Sequence, residues 1–335
     1  MVPLATTEQV NTFNEEYINV YGRTYKTSGK LNLDHAASGV EFGFIGTTCS
    51  VKIYSSAKSK MRVFIDGSLS GEKINVDTGT KEYVLASNLT DGCHTVRFVK
   101  GTEELFAKWE VMSLIADKFY VIPEKSELKI EFIGDSLTTG YGLYGSAGQE
   151  ATMDNSDSTK SYAYLTAHAL GADYSIVGWT GICTTVTDFW AGEYSMEKLY
   201  EWVSGSNRAR YAFDFEADVV VLNLGTNESS YLTRPDAGGD STYAQYFEGD
   251  YQRFLETIRG KNPNAYIICL YGMIHQNNMI SVGIQSAIDK LDDDKIIYNP
   301  FTIEADTHGA MNHPNSVAHK AWGDALAAYI RTLFA

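Results

Sequence analysis

From Arg23 to about Leu114 the chain runs in short stretches in which apolar and polar residues alternate: GVEFGFIGTTC, SVKIYSS, KMRVFIDGS, KEYVLAS, GCHTVRFVKG and FAKWEVMSL. A period of two turns one face of each stretch to a core and the other to water, while Gly, Asn and Asp at short intervals supply the turns. The pattern predicts an all-β sandwich. Asp66-Gly67 carries a hairpin signal. A linker is expected from Ile115 to Glu127, because Pro123 interrupts the strand pattern and a polar stretch follows it. The expected domains are therefore a β-sandwich over 1–117 and a second domain over 118–335.

Past the linker the grammar changes to strands alternating with helices. Strands are expected at Lys129 to Ile133, Asp173 to Val177, Asp218 to Leu224 and Ala265 to Leu270. The run DVVVLNL is apolar on both faces, as a central parallel strand must be. Helices are expected from Lys160 to Leu170, closed by Gly171; from Tyr243 to Arg259, stopped by Gly260 and Pro263; and from about Ser316 to Phe334. These elements imply an α/β/α doubly wound parallel sheet of flavodoxin-like type. Such sheets bind ligands at the carboxyl ends of their strands.

Composition narrows the function. With 44% hydrophobic and 21% charged residues in 335, there is apolar surface enough for two cores. A net charge of -15 argues against a nucleic-acid partner, which needs a basic face. No stretch is long and apolar enough for a membrane span, so no membrane partner is expected. Cys49, Cys93, Cys183 and Cys269 lie in apolar or strand-like surroundings without metal-site spacing, and are expected to be free and buried. The start of the chain lacks the basic and apolar segments of an export signal. The expectation is a cytoplasmic protein, or a secreted one if a signal peptide preceded this numbering. Neither a cofactor nor a metal is implied, and a homo-oligomer stays open.

Candidate chemistry begins at IGDSLTTGY, residues 133–141, directly after an apolar strand. There Ser136 sits where strand passes into helix, its hydroxyl clear of the sheet and the first helical amides open to a developing negative charge. An N-cap serine would occupy the same place without chemistry. His313 in NHPNS is the candidate base, since a serine hydroxyl is a weak nucleophile until its proton is taken. Gly140, Gly142 and Gly145 have the GxGxxG spacing of a dinucleotide site. The run begins too far from its strand for that use.

Four blocks in order carry a resemblance: Ser136 in GDSL, Gly178 in SIVGWTG, Asn227 in NLGTNE and His313 in NHPNS. The chain resembles the SGNH (GDSL) hydrolases from about Leu128 to its end. With a β-rich segment in front, it looks like carbohydrate esterase family 2, whose members carry a jelly-roll domain and deacetylate plant polysaccharides. The resemblance implies Ser136 and His313 as catalytic residues, with the Ser136 amide, the Gly178 amide and the Asn227 side chain as an oxyanion hole. Gly181 is the fallback for Gly178. It implies an acetylated oligosaccharide or polysaccharide as partner, with Trp179, Tyr231 and Tyr271 as candidate sugar contacts; Trp190 shares their placement near strand ends. The family's third block usually ends in Asp where this chain has Glu228. The acid that usually stands three residues before the histidine is here Ala310, so a backbone carbonyl, Asp306 or Glu304 is left to orient His313. Another short-chain esterase or lipase activity, or polysaccharide binding without turnover, stays open beside deacetylation.

Overall fold

The computed structural model describes residues 17–274, 276–298 and 308–335. They form two compact units that divide between Lys125 and Ser126.

The first unit is a single antiparallel ladder of ten strands. In chain order these are β1 (Ile18–Tyr21), β2 (Tyr25–Thr27), β3 (Lys30–Leu33), β4 (Gly39–Ser55), β5 (Ser59–Ile65), β6 (Ser68–Leu69), β7 (Ile74–Val76), β8 (Gly79–Ala86), β9 (Gly92–Lys100) and β10 (Trp109–Tyr120). The 17-residue β4 gives the ladder two faces, because its first half pairs with β9 and its second half with β8. The partner changes at Gly46, whose φ of 137° is open to glycine alone. Alternate residues of the strands, among them Phe42, Phe44, Val51, Val96, Phe98 and Trp109, make one buried cluster. The Trp109 indole N–H donates to Ser59 Oγ at 2.7 Å, which keeps its burial from costing an unpaired donor. Asp66 and Gly67, both at positive φ, close the two-residue hairpin between β5 and β6.

The expected boundary needs a correction. Strand β10 runs on to Tyr120, pairing Phe119 with Phe44 and Tyr120 with Gly43, so residue 117 lies inside a strand and not at a domain edge. The division itself falls in the polar stretch after Pro123, at the far end of the expected linker, while register shifts near Val111 and Ala116 disturb the alternation of β10 upstream of it. The thiols also divide: Cys49, Cys183 and Cys269 are buried and free, whereas Cys93 is free but exposed.

The second unit is a five-stranded parallel sheet: β11 (Lys129–Gly134), β12 (Asp173–Gly178), β13 (Val219–Asn223), β14 (Tyr266–Leu270) and β15 (Ile296–Tyr298), in the order β12-β11-β13-β14-β15. That is the 2-1-3-4-5 flavodoxin-like order, with its switch point between β11 and β13. The helices are α1 (Ser136–Thr139), α2 (Tyr162–Leu170), α3 (Met196–Glu201), α4 (Thr226–Thr233), α5 (Ala244–Lys261), α6 (Asn278–Leu291) and α7 (Ser316–Leu333). Every residue of β12 and β13 is buried, as strands covered on both faces require. Helix α5 passes through Gly260, expected as a stop, and ends at Lys261 with Asn262 as its cap; a single glycine costs a helix only about 1 kcal/mol.

Candidate active site

Three strand ends build the site. After β11, Asp135 caps the four-residue helix α1, its Oδ1 accepting the Leu137 N–H at 3.0 Å. The turn is tight: a Cβ on Gly134 would collide with Thr138 Oγ1, and Gly140 ends the helix at φ 76° against Asp157 O. Behind it, Thr138 Oγ1 meets the Tyr162 hydroxyl at 2.9 Å, and Asn223 Nδ2 donates to the same hydroxyl at 3.2 Å. Burial pushes the Tyr162 phenol above its ordinary range, so it stays protonated and holds both neighbours. Ser136, 5% exposed, is thus fixed from below, with its hydroxyl turned to His313.

His313 precedes α7 and reaches back 177 positions. Its Nε2 lies 2.9 Å from Ser136 Oγ, and its Nδ1 lies 3.2 Å from Ala310 O. A carbonyl can only accept, so Nδ1 carries the proton and Nε2 presents a lone pair to the serine hydroxyl. The Tyr141 ring stands edge-on to the imidazole at 5.3 Å. Asp306 and Glu304, the other candidates for orienting His313, lie outside the described residues.

Gly178 ends β12 level with Gly134 of β11. A Cβ there would stand 2.8 Å from Thr139 Cγ2. Gly181, the fallback, adopts φ 81° and packs on Trp190. Asn227 lies in the first turn of α4, after Gly225 at φ 118°. Its Nδ2 donates to Ile182 O at 2.9 Å and to Asp135 Oδ2 at 3.2 Å. Both contacts of this amide thus lie inside the fold, and an oxyanion would have to replace or share one of them. Its neighbour Glu228 is fully buried and accepts both the Thr184 N–H at 2.6 Å and the Thr184 hydroxyl at 2.7 Å. Burial raises the Glu228 carboxyl above its ordinary value, opposed by the Thr184 donors and by amides at the start of α4. Asn227 and Glu228 thus tie the segment after Gly178 to α4. The glutamate in the third block was visible in sequence; its partner was not.

The aromatic candidates separate by exposure. Tyr271 is 5% exposed, its ring under Gly225 and its hydroxyl bonded to Ser229 and to the Asn277 N–H, so no face is open to a sugar. Tyr231 is half-buried and edge-on to Phe189. Trp179, also half-buried, stacks on Tyr194 at 4.5 Å. Trp190 is 49% exposed, backed by Phe189 at 4.5 Å, and borders a hollow of about 200 Å³ lined by Ser230, Thr233, Arg234, Gln276 and Asn277. Among the described residues no group of three or more His, Cys, Asp or Glu is placed to hold a metal ion. Nor, among them, is any helix long and apolar enough to cross a membrane.

A hydroxyl, an imidazole and a carbonyl in line at the switch point of a 2-1-3-4-5 sheet are the apparatus of a serine hydrolase. The chain belongs to the GDSL-like lipase/acylhydrolase family, whose model matches residues 132–333, and the carbohydrate esterase 2 N-terminal model matches residues 20–121. It is 28% identical over 309 residues to the cellulase/esterase CelE of Acetivibrio thermocellus, covering 88% of this chain but 37% of that protein. It is 24% identical over 334 residues to an acetylxylan esterase/glucomannan deacetylase of Cellvibrio japonicus, covering 96% of this chain and 90% of that one. A family two carbohydrate esterase from Clostridium thermocellum, solved with cellohexaose, superposes with a TM-score of 0.86 at 26% identity over 95% of this chain and 99% of that one. The acetyl xylan esterase Est2A from Butyrivibrio proteoclasticus, at 23% identity and a TM-score of 0.85, covers 100% of this chain and 99% of its own; it shares the fold.

Proposed function

We propose that this chain is a carbohydrate O-acetyl esterase that releases acetate from oligosaccharides or polysaccharides through a Ser136–His313 pair. Ser136 Oγ attacks the acetyl carbonyl as its proton passes to His313 Nε2. The imidazolium so formed keeps its Nδ1–H on Ala310 O. The carbonyl oxygen becomes an oxyanion held by the Ser136 N–H, which as the first amide of α1 has no partner within the helix, and by the Gly178 amide and the Asn227 side chain. His313 then gives its proton to the departing sugar oxygen. Water, activated by the same imidazole, releases acetate from Ser136.

The observation that carries this reading is the continuous line from Ser136 Oγ through both His313 nitrogens to Ala310 O, at 2.9 and 3.2 Å. Support for the substrate class comes from the relatives named for acetylxylan and glucomannan and from the cellohexaose complex. Trp190 offers an exposed face for a sugar ring beside polar groups suited to hydroxyls. Nitrophenyl esters of two, four and eight carbons, assayed beside acetylated xylan and glucomannan, test the reading. The acetyl ester should be preferred and Ser136→Ala should abolish turnover with circular dichroism unchanged. Preference for eight carbons would make the protein a lipase, and glycan binding without acetate release would make it a binding protein.

A further inference from the structure

The GxGxxG run at Gly140, Gly142 and Gly145 lies against the loop that carries His313. Its amides are engaged inside the fold: the Gly142 N–H donates to Ser156 Oγ at 2.9 Å, and the Gly145 N–H to Gly142 O at 3.2 Å. They leave nothing for a phosphate to bind. What the glycines provide is room. Ala310 is fully buried and its N–H donates to Gly142 O at 2.7 Å. A Cβ on Gly145 would stand 2.5 Å from Ala310 Cβ and 2.9 Å from Ala310 N; one on Gly142 would stand 3.2 Å from Ala310 Cβ. A Cβ on Gly309 would press on Gly142 O from the other side.

Beyond this seat the chain turns sharply. Met311 and Asn312 adopt φ of 52° and 61°, a left-handed pair that asparagine tolerates and methionine rarely takes up. The turn lets Ala310 O accept both the His313 N–H at 3.0 Å and the His313 Nδ1–H at 3.2 Å. An aspartate side chain can rotate to follow an imidazole, but a backbone carbonyl is aimed only by the backbone that bears it. Its direction is therefore set by what packs behind the residue. We infer that Gly142 and Gly145 are positioning residues for the base: they seat Ala310 so that its carbonyl stands where a catalytic triad holds its carboxylate.

The inference rests on reading Ser136 and His313 as nucleophile and base, and the test keeps the two apart. Gly145→Ala should lower kcat on nitrophenyl acetate by about ten- to a hundredfold with KM within about twofold, since displacements near 1 Å cost rates of that order. Removing the opposing methyl as well, in Gly145→Ala with Ala310→Gly, takes away the 2.5 Å contact but keeps the one to Ala310 N, so the double variant should lose less than the product of both single losses. Gly148→Ala, in the same loop with nothing within 4 Å of its added methyl, should equal wild type. Wild-type kcat in a folded Gly145→Ala, a loss confined to KM, or an equal loss in Gly148→Ala would overturn the inference. If Gly145→Ala does not fold, Ala310→Gly decides alone: a several-fold fall in kcat at constant KM supports the seat, and wild-type kcat refutes it. Wild-type protein no more active than Ser136→Ala would instead bring down the reading of the site.

Discussion

At Ala310 one small side chain decides how the histidine is held. Its methyl is enclosed by Gly142 and Gly145, and its carbonyl supplies the acceptor that a carboxylate supplies elsewhere. Ala310→Asp would thus not rebuild a triad. The new carboxylate would enter a seat sized for a methyl, lose its water and displace the carbonyl already bonded to Nδ1. We expect it to lower kcat by about tenfold or more and to lower Tm, read by esterase kinetics and thermal melting; a gain in kcat would show that the loop can re-form around an acid. Asn227→Ala removes one of the proposed oxyanion donors and should lower kcat by about a hundredfold at constant KM. A change confined to KM would make Asn227 a substrate contact. At this scale the sequence reveals candidates by their letters, and the structure brings two of them, Ser136 and His313, to 2.9 Å. It could not choose the acceptor on Nδ1, because a backbone carbonyl has no letter of its own.

Helix α4 shows where hydrophobic pattern stops being informative about elements. TNESSYLT has no apolar stripe, yet Asn227, Glu228, Ser229 and Ser230 are all buried. Ser229 is satisfied within the helix, its Oγ donating to Gly225 O, and Thr233 Oγ1 likewise donates to Ser229 O, both four residues back; Asn227 reaches Ile182 and Asp135, and Glu228 Oε2 is left without a partner among the described residues. Glu228 reaches outward to Thr184. By contrast β13 and α7 were legible, one as an unbroken apolar run and the other from its periodicity after Asn315, which caps Val317 and Ala318. The Glu228 contact sets a prediction for the element. Glu228→Gln keeps an acceptor for Thr184 and loses only a charge that burial already disfavours, so stability should stay within about 1 kcal/mol. Glu228→Ala strands the Thr184 amide beside a cavity and should cost about 3 kcal/mol, with kcat falling as the Ile182–Thr184 segment leaves α4. Urea titration of both variants separates the cases, and equal losses would show that charge, not hydrogen bonding, matters there.

For the whole molecule, two histidines give the two units opposite responses to pH. His94 in the first unit has its Nε2 on Thr90 O and its Nδ1 on Asp66 Oδ2, both at 2.8 Å. Both acceptors suit the doubly protonated ring, and they raise its pKa, the Thr90 carbonyl most. Above the ordinary value of about 6.5, folded protein then holds more protons than unfolded, so this contribution, complete below that value, is lost as pH rises through the folded pKa. His319 in α7 is the reverse case. Its Nδ1 accepts the Tyr162 N–H at 3.2 Å, and burial pulls its pKa down to about 3. Between about 6.5 and 3 the unfolded chain binds the extra proton, so the second unit weakens as pH falls through that window. Hydrogen exchange resolves the two responses locally. Protection in β9 should decline with rising pH in wild type and lose that dependence in His94→Gln, after correction for the intrinsic exchange rate. Protection in α7 should decline toward pH 4 and do so less in His319→Gln, where the amide oxygen can still accept from Tyr162. If both regions instead respond alike, and neither substitution changes the slope, the pH dependence belongs to the carboxylates of this acidic chain and not to its histidines.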